Sequence, residues 1–305
     1  MVLPQLPSSP PLPSRAEGLN RKLLRQLANF VELVKFEHTI FALPYAYGGA
    51  FLAARGFPGW HDFFWITMAM VGARTAAMTL NRLIDRAIDA ANPRTKNRSI
   101  PAGRVTVGQA WWYAILSFAL LFWSAWQLNP LCVKLLPIAV LVLVVYSYTK
   151  RFTWFCHLVL GVADSAAPLG AWIAVTATVP ADALILAAMV ALWIGGFDII
   201  YALPDREFDL KEGLHSIPVR FGPEKGLWIS RAWHLLTVFL GLVLYYRMHL
   251  GPFFLAGIIA TAILLAYEHS LVSPRDLSRL NMAFFNVNGI ISIIFFVSVL
   301  LDVGI

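Results

Sequence analysis

Residues 63–80, FFWITMAMVGARTAAMTL, form an apolar run that passes directly into NRLIDRAIDAANPRTKNRSIPAGR, residues 81–104. The first segment has one charged residue, Arg74, whereas the second has six Lys or Arg residues and two Asp residues. An apolar run of this length predicts a membrane-spanning helix that ends where the charges begin. The whole chain shares this character, since 59% of its 305 residues are hydrophobic and 13% are charged, against about 25% charged residues in soluble domains. We expect an all-α, polytopic membrane protein.

Apolar runs of this kind recur along the chain and predict nine transmembrane helices packed as one bundle around a central cavity. The predicted spans are 28–54, 62–84, 108–127, 131–149, 157–175, 181–203, 224–246, 251–269 and 280–301. Residues 1–26, which begin with a Pro- and Ser-rich stretch, are expected to be a disordered cytoplasmic tail with a basic lead-in. Residues 27–305 are expected to form a single membrane domain.

The distribution of positive charge predicts the orientation of the bundle. Most of the 24 Lys and Arg residues lie before the first span or in alternate loops, beginning with residues 81–104. The opposite loops and span edges hold only Arg55, Lys134 and Arg247. By the positive-inside rule the N-terminus is cytoplasmic and the C-terminus is on the far side. This rule, with attraction to anionic lipid, accounts for the net charge of +7, so we expect a lipid bilayer as the partner and no nucleic acid.

Two groups of acidic residues end the second and sixth predicted spans, both of which run toward the cytoplasm. The first acidic cluster is Asn81, Asp85 and Asp89, and the second acidic cluster, in FDIIYALPDREFD, is Asp198, Asp205 and Asp209. Steps of four and seven residues return to the same face of a helix, although Pro204 interrupts the second cluster. The two clusters are therefore predicted to face each other at one mouth of the bundle.

Carboxylates that are brought together repel one another unless a cation lies between them. Mg²⁺ suits such a site, because it binds one or two carboxylates and completes its shell with water and phosphate oxygens of a substrate. Basic residues beside the clusters suit the same polyanion, and the candidates for binding a diphosphate are Arg86, Arg94, Lys150 and Lys211. The pattern predicts a metal and diphosphate site. The alternative is an ordinary solvated loop of mixed charge, which two clusters of the same layout make less favourable.

Three further places carry candidate functional residues. In the loop YSYTK, Tyr146 and Lys150 are four residues apart and could reach the same mouth, although an interfacial aromatic belt explains them as well. Arg74 lies inside a span, seven residues before Asn81, and an intramembrane charge is a functional hypothesis by default. Near the start of the first span, Lys35 and His38 are further candidates. Arg74, or Lys35 with His38, is expected to bind a carboxylate of a second substrate.

These residues together resemble the UbiA superfamily of intramembrane prenyltransferases. NRLIDRAID is similar to the first Asp-rich motif of that family, DIIYALPDREFD to the second, and YSYTK to its Tyr-x-x-x-Lys loop. The resemblance covers nearly the whole chain from about residue 30. One departure is Arg82, which follows Asn81 where the family often has Asp, so that Asn81 and Asp85 remain the safer metal ligands. Among the branches, the chain looks most like 4-hydroxybenzoate polyprenyltransferases.

The resemblance implies an enzyme of the cell membrane, the inner membrane of a prokaryote, with Mg²⁺ as cofactor. It would transfer a polyprenyl group from a polyprenyl diphosphate to an aromatic acceptor of the 4-hydroxybenzoate type in respiratory quinone biosynthesis, with no obligate protein partner. Asp85, Asp205, Lys150 and Tyr146 would act in catalysis. The 4-hydroxybenzoate acceptor would place the enzyme in ubiquinone biosynthesis. Alternatives within the family are the same reaction on 1,4-dihydroxy-6-naphthoate, in menaquinone biosynthesis, or on haem. A secondary transporter also shows buried acids, but it would place them nearer mid-membrane; a membrane scaffold would not need paired Asp clusters.

Overall fold

The computed structural model describes residue 24, residues 28–34 and residues 39–304, and within these ranges the protein is built of helices without named strands. Residues 28–34 are helical. The longer helices are α1 (Thr39–Ala54), α2 (Trp60–Ile84), α4 (Val107–Leu128), α5 (Pro130–Thr149), α6 (Cys156–Thr176), α7 (Ala181–Tyr201), α10 (Pro223–Met248), α11 (Pro252–Ser270) and α12 (Asn288–Val303). Short helices lie in the connections: α3 (Arg86–Ala91), a 3₁₀ turn (Leu203–Asp205), α8 (Arg206–Lys211), α9 (Ile217–Phe221) and a π-helical segment (Met282–Val287).

The helical membrane fold that the sequence predicts is confirmed. From the second span onward, each predicted span agrees with a long helix, counting the π-helical segment with α12, to within two residues at either end. Eight helices in the described residues are long and apolar enough to cross a membrane. The first predicted span, 28–54, includes the 16-residue α1, which is shorter than those eight, and residues 35–38, which are not described. The count of nine spans, the orientation and the tail at residues 1–26 remain predictions.

The long helices pack as a closed circuit, in the order α1, α2, α4, α5, α6, α7, α10, α11, α12 and back to α1. α1 also packs against α6, which draws the two sides of the circuit together. A large apolar core holds α7, α10, α11 and α12 around residues such as Trp193, Phe254 and Phe295, each at most 2% exposed. This second half of the bundle is tightly filled, whereas the first half, α1 to α6, encloses a cavity.

Glycine permits two of the closest helix contacts. A Cβ atom on Gly161 of α6 would lie 2.1 Å from the carbonyl oxygen of Ala191 in α7, and one on Gly72 of α2 would lie 2.8 Å from the backbone of Ser117 in α4. Small residues at helix contacts are typical of membrane bundles, because close backbone approach replaces the hydrophobic effect as the source of packing energy. These contacts bring α2 and α6, which carry the candidate site, close to their neighbours.

A buried polar network fixes the π-helical segment before α12. The side-chain amide of Asn288 donates hydrogen bonds to the carbonyl oxygens of Ala283 and Phe284, both at 3.1 Å, and to Glu268 at 3.0 Å. It accepts one from the indole N–H of Trp193 at 2.8 Å. A π turn displaces carbonyl groups from the regular helical pattern, and an unpaired polar group in hydrocarbon is costly. Asn288 therefore stabilises this irregular turn and ties α12 to α7 and α11.

We expect Gly161→Ala to destabilise the bundle, because the added methyl group would collide with the Ala191 carbonyl oxygen. Overpacking of this kind costs typically about 1 to 3 kcal/mol. The measurement is the thermal unfolding midpoint of the detergent-solubilised protein. Gly170→Ala is the matched control, since Gly170 lies in the same helix and a Cβ there meets no atom within 4 Å. Equal midpoints for the two variants would contradict the packing described.

Candidate active site

Asp85 lies at the bend where α2 passes into α3. The residue is 2% exposed, yet its carboxylate is paired with two cations from the end of α5. The ammonium nitrogen of Lys150 lies 2.7 Å from Oδ2, and the Arg151 guanidinium lies 2.8 Å from Oδ1. The amide of Asn81 also donates to Oδ2 at 3.2 Å. Charge-assisted hydrogen bonds of this kind compensate burial of the carboxylate, and they join the ends of α2 and α5.

Asp205 is held by the loop that follows the first acidic cluster. Arg94 donates from Nε to Oδ1 at 2.8 Å and forms an ion pair with Oδ2, and the Asn92 amide donates to Oδ1 at 3.1 Å. Arg94 also donates to the hydroxyl of Tyr201 at 2.9 Å. Burial alone would lower the pKa of Arg94, but its hydrogen bonds to Asp205 and Tyr201 raise the pKa above the ordinary value. The structure thus brings the two clusters to one end of the bundle, linked through a charged Arg94.

The carboxyl group of Asp209, on α8, lies in a part of the site where negative charges are close together. Burial, and then the charge of Asp205, raise the pKa of Asp209 from 3.8 to about 6, while the positive charges of Lys150, His157 and Arg94 act in the opposite direction. The pKa of this one carboxyl group is therefore influenced by residues from the end of α5, from α6, from the loop after α3 and from the second acidic cluster. A site that binds a divalent cation through carboxylates has this electrostatic character in the absence of the ion.

The remaining two carboxylates have partners of their own. Asp89, 3% exposed, lies 2.6 Å from Arg98 and 3.9 Å from Arg82, and its Oδ2 is buried without a hydrogen-bond partner among the described residues. Asp198 lies 2.7 Å from Nδ1 of His157 in α6. The six predicted ligands are therefore not aligned on two helical faces, because the helices bend at Asp85 and end at Tyr201.

Three arginines line a basic cavity of about 230 Å³ beside the Arg94–Asp205 pair. The basic cavity is lined by Glu32, Leu33, Arg82, Arg94, Thr95, Asn97, Arg98, Ser99 and Tyr201. Guanidinium groups are well suited to phosphate because they present several N–H donors in one plane. Of these three arginines, only Arg94 is among the four diphosphate-binding residues predicted from the sequence, because side-chain direction in an irregular loop is not visible in residue spacing.

A second, apolar cavity of about 370 Å³ lies among α1, α2, α4, α5 and α6. Its wall is made mostly of Ala, Leu, Ile and Val, and it includes Arg74, whose guanidinium lies 3.2 Å from the carboxylate of Asp164 in α6. Ile138 and Val162, which line this cavity, are also exposed on the outside of the bundle. The apolar cavity therefore opens laterally, toward the surface that a membrane would cover.

The structure does not bring every predicted residue into the charged cluster. Arg86 is exposed and donates to the carbonyl oxygen of Leu83 at 2.8 Å, and Lys211 is exposed on α8. No hydrogen bond or ion pair joins either residue to the acidic clusters in the described ranges. Tyr146 lies deeper, where its hydroxyl donates to the carbonyl oxygen of Ala77 at 3.3 Å. Lys35 and His38 lie outside the described residues.

Sequence reasoning missed Arg151, Asn92, His157 and Asp164, each of which is a direct partner of a predicted site residue. A signal was present for Asp164, because it is an acidic residue inside a predicted span, and the argument applied to Arg74 applies equally to it. Arg151 is adjacent to Lys150, but only the turn at the end of α5 brings both side chains to Asp85.

The donor set fits a hard divalent cation, although it is not a closed cage. No group of three or more His, Cys, Asp or Glu side chains in the described part of the chain is arranged to hold a metal ion, because the carboxylates of Asp85, Asp89 and Asp205 are paired with Lys or Arg. The oxygen chemistry, the absence of a hydrogen-bond partner for Oδ2 of Asp89 among the described residues, and the raised pKa of Asp209 suit Mg²⁺. Since Mg²⁺ uses few protein ligands and several waters or phosphate oxygens, an open set is sufficient.

Comparisons with known proteins agree with this arrangement. The pattern of the UbiA prenyltransferase family matches residues 42–294. The 4-hydroxybenzoate octaprenyltransferase of Aliivibrio fischeri (strain MJ11) is 32% identical over 245 residues, which cover 80% of this chain and 85% of that protein. The apo structure of a UbiA homolog from Aeropyrum pernix K1 has a TM-score of 0.80 and 32% identity, covering 87% of this chain and 98% of that chain.

A UbiA homolog from Archaeoglobus fulgidus, solved with DMAPP and Mg²⁺ bound, has a TM-score of 0.71 at 21% identity, over 90% of this chain and 98% of that one. At this identity the likeness bears on the fold alone. Fold and site together define a multi-pass membrane enzyme of the transferase class. The chain belongs to the UbiA prenyltransferase family, and it is a polyprenyltransferase similar to the 4-hydroxybenzoate enzymes.

We expect Asp209→Asn to stabilise the protein in Mg²⁺-free buffer at pH 7.5. Above a pKa of about 6 the folded protein holds Asp209 charged against burial and Asp205, and this unfavourable contribution disappears as the pH falls toward 3.8. The gain in unfolding midpoint should therefore be a few degrees, about 2 to 4 °C per kcal/mol, and should shrink between pH 7.5 and pH 5. Glu212→Gln, which removes an exposed charge nearby, is the control. A variant less stable than the wild type at pH 7.5 would contradict the electrostatic description.

Proposed function

We propose that the protein transfers a polyprenyl group from a polyprenyl diphosphate to the aromatic ring of a hydroxy-aromatic carboxylate, with Mg²⁺ as cofactor, in respiratory quinone biosynthesis. The observation that carries the proposal is the meeting of the two acidic clusters at one end of the bundle, where Lys150 pairs with Asp85 and Arg94 links the loop after the first cluster to Asp205. Carboxylates for metal and cations for phosphate at the end of an apolar cavity match the two parts of a prenyl diphosphate. The named octaprenyltransferase relative and the Mg²⁺-bound homolog support it.

The acidic clusters would hold the metal. Asn81, Asp85, Asp205 and Asp209 are the principal ligands, and Asp89 and Asp198 are held nearby by Arg98 and His157. When bound, Mg²⁺ would neutralise the diphosphate and stabilise the charge that develops on it as it leaves. Lys150 and Arg94 would leave their carboxylate partners and bind the phosphate oxygens, while the carboxylates would bind the metal. Lys150 would act directly on the leaving group in this way, and Asp85 and Asp205 would act on it through the metal that they hold.

The basic cavity and the exposed cations would contribute to diphosphate binding in different degrees. Arg82 and Arg98 line the cavity with Arg94 and offer further N–H donors. Arg86 and Lys211 are exposed and not part of the cluster, so their contribution is long-range attraction of the diphosphate. This attraction is screened by salt within about 10 Å at 0.1 M ionic strength.

The apolar cavity would receive the reacting ends of both substrates. Its lateral opening beside Ile138 and Val162 admits an isoprenoid chain from the bilayer, and its apolar wall protects an allylic cation from water. Tyr146 offers an aromatic ring near the cation. Arg74 is the proposed acceptor-binding residue inside the cavity, and Lys35 and His38 remain candidates for the same role.

We propose that the acidic clusters lie on the cytoplasmic side of a prokaryotic cell membrane, an orientation that the charge distribution supports. Residues 27–305 would act as one membrane domain after a tail at residues 1–26. The acceptor is proposed to be of the 4-hydroxybenzoate type, which would place the enzyme in ubiquinone biosynthesis. The alternative is 1,4-dihydroxy-6-naphthoate in menaquinone biosynthesis. Lipid-extract mass spectrometry of a host with and without the protein would distinguish these acceptors.

We expect purified protein with Mg²⁺, geranyl diphosphate and 4-hydroxybenzoate to yield geranylated 4-hydroxybenzoate, detected by mass spectrometry. Asp85→Ala should abolish the product, because it removes a metal ligand and leaves Lys150 and Arg151 without their carboxylate. Chelation of Mg²⁺ with EDTA should have the same effect.

Asp62→Ala is the control for this experiment, since Asp62 is paired with the exposed His61 at the opposite end of α2. It should retain wild-type activity. Full activity of Asp85→Ala would overturn the assignment of Asp85 as a metal ligand. Wild-type protein that yields no prenylated product with 4-hydroxybenzoate or with 1,4-dihydroxy-6-naphthoate would overturn the proposed function.

A further inference from the structure

An ion pair lies inside the apolar cavity, and it is made by the two charged side chains among the described residues that line the cavity. Arg74 of α2 and Asp164 of α6 are 3.2 Å apart, and their side chains are 14% and 23% exposed. The other residues that line the cavity are apolar, apart from Cys132 and Ser165. A charge within a membrane span is expensive and is usually retained for a function.

The pair leaves hydrogen-bonding capacity unused. It is made by one contact, from an Arg74 terminal nitrogen to Oδ1 of Asp164, and not by the two parallel bonds that this pair of groups can form. Nε of Arg74 is buried without a hydrogen-bond partner, and no hydrogen bond to Oδ2 of Asp164 occurs in the described part of the chain. A buried polar group without a partner calls for an explanation. A ligand in the cavity would find both a donor and an acceptor here.

Within the apolar cavity, the pair lies two helical turns from the acidic clusters or their partners on both of its helices. Arg74 precedes Asn81 by seven residues on α2, and Asp164 follows His157, the partner of Asp198, by seven residues on α6. Seven residues are two helical turns, about 10 Å, which leaves room for a diphosphate and the reacting carbons.

Charge balance selects the group that would approach this pair. Asp164 already compensates Arg74, so a second carboxylate would leave a net negative charge in an apolar cavity, which is unfavourable. A hydroxyl group is neutral, and its O–H can be donated to Asp164 while its oxygen accepts from Arg74. Charge balance therefore favours the acceptor's hydroxyl group over its carboxylate as the group that approaches Arg74.

We propose that Asp164 is a catalytic residue that accepts the proton of the acceptor's aromatic hydroxyl, with Arg74 binding the resulting phenolate. This inference rests on the proposed function. It means that the acceptor enters the cavity with its hydroxyl group toward Asp164 and Arg74. A phenolate is a stronger carbon nucleophile than a phenol, because the full negative charge is shared with the ring carbon beside the oxygen. Proton transfer to Asp164 keeps the site neutral overall, since Arg74 then pairs with the phenolate.

Asp164 takes the hydroxyl proton, and the bond between C1 of the prenyl group and the diphosphate oxygen breaks, its electron pair leaving on the diphosphate. The ring carbon beside the phenolate oxygen forms a bond to C1. That ring carbon then releases its own proton to the diphosphate or to water, and Asp164 returns the first proton to the oxygen.

A purely structural role for Asp164 predicts something different. If Asp164 served only to neutralise Arg74 within the membrane, its removal would lower the amount of folded enzyme and affect all acceptors equally. Removal of both charges together would then restore activity. A general base, in contrast, is needed less when the acceptor ionises more readily.

The test compares Asp164→Asn with the full-length wild type in nanodiscs, using geranyl diphosphate and two acceptors. These are 4-hydroxybenzoate and 3-fluoro-4-hydroxybenzoate, whose hydroxyl is more acidic and which keeps one free ring position beside it. We expect kcat with 4-hydroxybenzoate to fall by about 100-fold or more, as for loss of a general base, with KM for geranyl diphosphate unchanged. The ratio of wild-type to variant kcat should be several-fold smaller with the fluorinated acceptor.

Two further variants keep the test decisive. Asp182→Asn removes the carboxylate of another Arg–Asp pair, with Arg247, remote from the cavity, and should leave both rates unchanged. Arg74→Gln combined with Asp164→Asn removes both charges of the pair. If the single variant does not fold, kcat of this double variant is measured, and it should remain as low as expected for loss of the base. An equal loss on both acceptors, a single-variant rate close to that of the wild type, or recovery in the double variant would overturn the inference. Wild-type protein inactive on every aromatic acceptor would instead contradict the proposed function.

Discussion

The ion pair between Asp85 and the two cations at the end of α5 is the interaction on which the site depends. A carboxylate that is 2% exposed remains charged only where cations and hydrogen-bond donors replace the water it has lost. Lys150 and Arg151 supply that replacement, and in doing so they fix the end of α2 against the end of α5. Arg94 performs the same role for Asp205 across the bundle. Removing one partner would leave a buried charge uncompensated.

The same pairs explain how an acidic site can accept a polyanion. Asp85 and Asp205 are each paired with a cation in the protein. Under the proposed function, a metal ion and a diphosphate would therefore enter by exchange of partners: the metal would bind the carboxylates, and Lys150 and Arg94 would bind the phosphates. The sum of charges changes little, which limits the electrostatic penalty of binding in a partly buried site. The Arg74–Asp164 pair applies this principle deeper in the bundle, where the exchange is of a single proton.

The sequence was sufficient for the features that depend on local pattern. Apolar length placed the long helices, because the bilayer imposes one minimum length on every span, and the positions of Asp85 and Asp205 after such runs placed the two clusters at one end. The sequence was not sufficient to predict which side chains pair with the predicted site residues. Arg151, Asn92 and Asp164 are brought to their carboxylates by a helix-ending turn, an irregular loop and the packing of α6 against its neighbours. Arg86, four residues from Arg82, was expected in the site but is exposed, because the chain bends at Asp85 between them.

The exchange of carboxylates for phosphates by Lys150 and Arg94 on substrate binding can be observed in a cryo-electron microscopy structure of the protein in nanodiscs with Mg²⁺ and geranyl thiodiphosphate. We expect the diphosphate to lie between the first and second acidic clusters, with Lys150 and Arg94 contacting its oxygens and the geranyl chain in the apolar cavity. A diphosphate bound elsewhere, with the Asp85–Lys150 and Arg94–Asp205 pairs unchanged, would rule out this exchange.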